Sequence, residues 1–117
     1  MNFDDAIAAH AAWKTKLRTL INAGQGEVDE KKLGSDNACP VGQWLYGEGQ
    51  RHASQPGFAA VRDNHKRFHQ LAGSVAVKAK AGQKAAAAAI LDSSEYGQAS
   101  LAVVQAIAVL RKAVEGR

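Results

Sequence analysis

Phe58, Val61, His65, Phe68, Ala72, Val75 and Ala79 follow one another at strictly alternating spacings of three and four. A strand alternates with period two, so only a helix gathers these seven side chains on one face. The pattern is the seam of a helical bundle. It predicts a long helix from Pro56 to about Ala81, closed by Gly82. The seam carries one polar member, His65, and His69 lies one turn further on.

The rest of the chain follows the same period. Phe3, Ile7, His10, Leu17 and Ile21, with Trp13 and Leu20 beside them, predict a first helix from about Asn2 to Ala23. Asp4 and Asp5 suit its positive end, and Gly24 and Gly26 stop it. Gly24 to Asn37 reads as a polar loop. Asp36 or Asn37 then caps a short helix with Pro40 in its first turn, holding Cys39, Trp44 and Leu45 and ending at Gly47. A last helix is expected from Lys84 to Glu115, with a break or kink around Asp92-Ser93-Ser94-Glu95. The expected fold is all-α: an antiparallel four-helix-type bundle of three long helices and one short helix that carries the cysteine. Residues 1–117 are expected to form one domain, since 117 residues support a single core and no internal repeat or linker divides them.

Composition narrows the function classes. The net charge is +4, but Lys14, Lys16 and Arg18 are offset by Asp4, Asp5 and the segment from Glu27 to Lys32. No basic face of the kind that binds nucleic acid results. No stretch approaches about 20 uncharged apolar residues, so no membrane insertion is expected. The start MNFDDAIAAH has aspartates where a signal peptide needs positive charge. Cys39 is the single cysteine, which excludes an internal disulfide. A cytoplasmic, reducing location is the expectation.

The chemistry lies in the histidines. A lone imidazole on an apolar stripe is ordinarily a core residue bonded to a carbonyl. Here three of the four histidines, His10, His65 and His69, lie on or beside such stripes. His65 and His69 are four apart, so both rings leave one helix face, the spacing that offers two nitrogens to one metal. Cys39 adds a thiolate from a second element and His10 a third imidazole from another. Three imidazoles and a thiolate form a zinc set that closes a tetrahedron. Cys39 begins a helix, and the positive end of that helix is expected to lower its thiol pKa. His52, in the glycine-rich loop beside Arg51, is expected to be exposed and uninvolved.

The segment Cys39-Pro-Val-Gly42-Gln-Trp44-Leu45 resembles the Cys-x-x-Gly-x-Trp motif of the chemoreceptor zinc-binding (CZB) domain family. His10 with Trp13 three residues on, and His65-x-x-x-His69, match that family's other two signatures. The intervening gaps are 28 and 25 residues. The resemblance covers nearly the whole chain. It implies one zinc ion per chain held by His10, Cys39, His65 and His69, with Trp13, Gly42 and Trp44 packing around the site. It also implies a non-enzymatic sensory or regulatory role in bacterial signalling, with zinc or an oxidant such as hypochlorous acid as stimulus and Cys39 as redox switch. A homodimer is implied, coupled to an output of the chemoreceptor or diguanylate cyclase type. The chain itself supplies no output domain, so it is free-standing or cut from a longer protein. The residues leave two alternatives open: a purely structural zinc domain, and a zinc-dependent hydrolase or lyase using three ligands and a water. A cysteine nucleophile with a histidine base is blocked by a bound zinc. A carboxylate di-iron bundle needs Glu-x-x-His motifs, which do not occur.

Overall fold

A computed structural model of the chain describes residues 2–23, 30–37 and 39–115. Among these residues the secondary structure is entirely helical. The α-helices are α1 (Phe3–Ala23), α2 (Glu30–Gly34), α3 (Pro40–Tyr46), α4 (Phe58–Lys80), α5 (Lys84–Leu91) and α6 (Ser94–Glu115), with a 3-10 helix at Glu48–His52 between α3 and α4. Three long helices and one short one therefore do not describe the molecule. Two differences account for this. The stretch read as a polar loop contains α2, whose Leu33 is buried; the remainder of that expected loop, 24–29, lies outside the described residues. The expected last helix is two helices.

The break between α5 and α6 has a local cause. The Ser93 hydroxyl bonds the Ile90 carbonyl at 2.6 Å and accepts from the Tyr96 backbone N–H at 3.2 Å. Ser93 thus closes one helix and caps the next. Asn2 does the same for α1, its side-chain oxygen accepting from Asp5 N–H at 3.0 Å. Pro56 does not begin α4. Gly57 follows it with φ +89°, a left-handed conformation that glycine tolerates, and the helix starts at Phe58.

α4 is the axis of the molecule. Its 23 residues span about 34 Å at 1.5 Å per residue, most of the 45 Å long dimension. It packs against α1, α2, α3, α5 and α6. The seam residues Val61, His65, Phe68, Ala72, Val75 and Ala79 are all buried, and the core continues through Leu17, Leu45, Leu91, Tyr96, Ile107 and Leu110. Alanine at three seam and neighbouring positions, Ala72, Ala76 and Ala79, keeps α4 close to its partners. Exposed ion pairs, Arg18 with Asp92 and Arg111 with Asp4, tie α1 to the rest and add little stability.

α3 is anchored differently. It has seven residues, too few to be stable alone, and it buries Val41, Gly42 and Leu45. The turn at Asp36–Asn37 runs directly over its first turn: a Cβ on Gly42 would lie 1.7 Å from the Asp36 carbonyl oxygen. The Tyr46 hydroxyl also donates to the Asp36 carboxylate. Gly42 is therefore required by a backbone crossing that holds Cys39 in place. Gly42→Ala is expected to destabilise the protein by about 1–3 kcal/mol through overpacking, measured as a lower urea midpoint at unchanged m-value.

Candidate metal centre

Three elements converge on one point. α1 supplies His10, the residue before α3 supplies Cys39, and α4 supplies His65 and His69 one turn apart. One donor atom from each lies within 4.8 Å of every other. Cys39 Sγ is 3.1 Å from His65 Nε2 and 3.5 Å from His69 Nε2, and the two Nε2 atoms are 3.0 Å apart. The His10 ring sits 5.0 and 5.6 Å, centroid to centroid, from the His65 and His69 rings. Zinc–nitrogen and zinc–sulfur bond lengths place tetrahedral ligands roughly 3.3–3.6 Å apart, so the ion fits after small adjustments that open the closest pairs and draw in the widest, which reach 4.8 Å.

Backbone carbonyls orient two of the rings. His10 Nδ1 donates to the Ala6 carbonyl and His69 Nδ1 donates to the Leu33 carbonyl, each at 2.8 Å. Both imidazoles are then neutral, with the bare Nε2 turned into the cluster. Carbonyl bonds of this kind fix the tautomer and aim of metal-ligating histidines. The Leu33 carbonyl belongs to α2, so that short helix reaches the site as well. No side-chain pattern announces a carbonyl donor partner, which is why sequence reasoning overlooked both.

A cation is the group these atoms fit. His10 Nε2 is buried and has no partner among the described residues. An unmet buried acceptor is costly. At the same point His65 and His69 bring their Nε2 atoms together with Cys39 Sγ. Lone pairs pointed at one another are satisfied together by one positive ion, and three nitrogens with one sulfur are zinc donors.

Burial sets the protonation states. His65 is 0% exposed, and desolvation with the nearby His69 and His10 rings drives its pKa down to about 3. Desolvation also lowers His10 and His69, although their carbonyl bonds work the other way. All three are neutral, ligand-ready imidazoles near pH 7. Cys39 goes against expectation. It does cap α3, accepting from Gly42 N–H at 3.5 Å. Yet burial raises its pKa more than the α3 amides lower it, and the Asp36 charge raises it further. The thiolate thus depends on a bound cation's charge rather than on the helix end.

The remaining sequence candidates surround this cluster. Trp13 and Trp44 are half-buried and stand on either side of a groove that ends at His10 and Cys39. Trp44 packs edge-on against Phe3 at 5.5 Å. His52 lies outside the ligand group but is half-buried rather than exposed, its ring stacked on Trp44 at 5.9 Å. Loop composition gave no sign of that contact.

The sequence profile of the family described as chemoreceptor zinc-binding domain matches residues 10–76, a span that starts at the first ligand and passes the last. Comparison with curated proteins and with solved structures gives no match. The protein is expected to carry one zinc per chain by elemental analysis. His69→Ala is expected to weaken zinc binding at least about tenfold, as loss of an orienting or ligating group does elsewhere, whereas His52→Ala should keep full metal content. Wild-type affinity in His69→Ala would mean a different ligand set.

Proposed function

The chain belongs to the chemoreceptor zinc-binding domain family, and from that premise we propose that it is a sensory module in which the Cys39–zinc bond is the switch. Zinc supplies the positive charge that keeps the Cys39 sulfur ionised and joins α1, α3 and α4 at one point. The observation that carries the reading is an asymmetry among the ligands. The three imidazoles are buried at 3% exposure or less, while Cys39 is only half-buried and caps the seven-residue α3. Imidazole is inert to mild oxidants and a thiolate is not. A two-electron oxidant such as hypochlorous acid takes the sulfur to the sulfenic acid as chloride leaves, and the sulfur ceases to be a good ligand.

Losing that bond frees α3 selectively. α1 and α4 are held by the long core, but α3 has few buried side chains of its own. Segments so held open at low free energy. Chelation of zinc and oxidation of Cys39 then reach the same outcome, release of α3 with Trp44 and Leu45, which is how two stimuli drive one bistable element. The reading is non-enzymatic: four protein ligands leave no open position for a catalytic water. No described helix is long and apolar enough to cross a membrane, and a reducing cytoplasm, where Cys39 stays a thiol, is the setting we assign.

Hydrogen exchange tests the switch. Removing zinc, or treating the loaded protein with stoichiometric hypochlorous acid, is expected to abolish protection across 39–47 while α4 and α6 stay protected. Unchanged protection there, or loss of protection everywhere, overturns the reading in favour of a structural zinc.

We further assign a two-fold homodimer that passes the change to a signalling output of the chemoreceptor or diguanylate cyclase type. Support comes from α6, whose Val103, Ile107 and Leu110 fill the core while Leu101 and Val109 remain 56% and 49% exposed. A helix apolar on two faces has more surface than one core uses. Light scattering at a concentration on the order of tens of micromolar should give twice the chain mass. Leu101→Glu should shift it to the monomer, and a wild-type monomer refutes the dimer.

A further inference from the structure

The four ligands are not equally separated from solvent. A groove of about 790 Å3 between α1 and α3 ends on His10 and Cys39, and its walls include neither His65 nor His69. Two other grooves, one between α2 and α4 and one between α1 and α6, reach none of the four ligands. All three imidazoles are covered by protein, at 3% exposure or less, but of the three only His10 lies along the groove. An ion approaching the site from this side meets the half-buried sulfur and His10 first.

We propose that this groove is the route by which zinc enters and leaves, so that its walls set the exchange rate independently of affinity. Ala9 and Trp13 form the α1 wall, with Trp44 opposite on α3. Asp5 and Glu48 are exposed carboxylates on the rim. Their negative field draws a divalent cation toward the opening, since charge at the mouth of a low-dielectric cleft raises the rate of encounter. Lys16 on the same rim opposes them, and its Nζ is held 4.9 Å above the Trp13 ring. The geometry therefore gives uptake two accelerating charges and one retarding charge. Release follows the same path in reverse, with Cys39 and His10 the first ligands to lose the ion, because they alone face the groove.

Ala9 permits a clean steric test. It is exposed, lines the groove, and sits on α1 one residue before a ligand without being one. The inference rests on zinc at the four ligands and not on what the zinc reports, so it stands or falls apart from the switch. The measurement is stopped-flow zinc uptake by the metal-stripped full chain, and zinc transfer from the loaded chain to excess chromogenic chelator. Ala9→Phe is expected to slow uptake and release by the same factor, roughly tenfold, leaving Kd unchanged. Ala89→Phe, an equal bulk on the exposed face of α5, should leave both rates at the wild-type value. The isosteric double variant Asp5→Asn/Glu48→Gln should slow uptake several-fold at low salt, with the difference lost at high salt, and Lys16→Gln should speed it. These charge variants decide the matter alone if phenylalanine disturbs α1. The proposal is overturned if Ala9→Phe exchanges zinc at the wild-type rate, if it weakens Kd without slowing uptake, if Ala89→Phe slows exchange equally, or if the charge variants leave uptake unaltered. Normal exchange effects with unchanged hydrogen exchange at α3 would reject the switch and keep the route.

Discussion

Three neutral imidazoles buried around one thiol are the constraint on which the local structure turns. Each ring brings a lone pair to the same point, and His10 Nε2 finds no protein donor there among the described residues. Protonation, the usual remedy for a crowded histidine, is suppressed by burial, with His65 pushed down to about 3. A metal ion remains as the means of satisfying all the donors together. The ligands then do double duty, because they lie on separate elements. α1 and α4 meet through a large apolar core and need no metal to do so. α3, with seven residues and a glycine at its closest backbone crossing, has no comparable hold.

The two carbonyl bonds to the ligand rings extend the site beyond its four donors. His10 is aimed by its own helix, through Ala6, so its orientation is set as α1 forms. His69 is aimed by Leu33 on α2, a segment far away in sequence. The chain from 30 to 46 is thus attached to the metal ligands twice, at α2 through a carbonyl and at Cys39 through sulfur. The first attachment involves no metal bond and does not pass through the sulfur. On the proposed reading, that difference confines a change at Cys39 to α3 and the turn before it.

Much of this was legible in the sequence because it is periodic. The three-four stripe from Phe58 to Ala79 located α4, and the helical spacing of His65 and His69 followed from it. The structure brings His10 and Cys39 to the same pair. What escaped reading was aperiodic or non-side-chain. α2 is a single turn stabilised by burying Leu33 against α4, too short for any period to register. Ser93 reads equally well as a kink or a cap until its hydroxyl is seen bonding on both sides. The stacking of His52 on Trp44 joins the end of the 3-10 helix to α3 by a ring contact that no residue pattern signals. The Cys39 pKa was misjudged because two real effects oppose one another. The helix end was visible in Cys39-Pro40, whereas the burial that outweighs it was not.

That reversal bears on why a zinc–thiolate suits a sensor better than a bare reactive cysteine. A thiol activated by its protein surroundings is permanently nucleophilic and reacts whenever an oxidant arrives. Here desolvation and the Asp36 charge hold the metal-free thiol protonated, so it is a poor nucleophile. Ionisation comes only with the cation, and only the metal-loaded chain presents a thiolate at the end of the groove. On the proposed reading, reactivity toward oxidants is conditional on zinc, and retention of zinc is conditional on the sulfur remaining unoxidised. In that reading the ligands left behind are neutral, buried imidazoles. A full ligand set then exists only while the Cys39 sulfur is unoxidised, because the three imidazoles alone leave one tetrahedral position open.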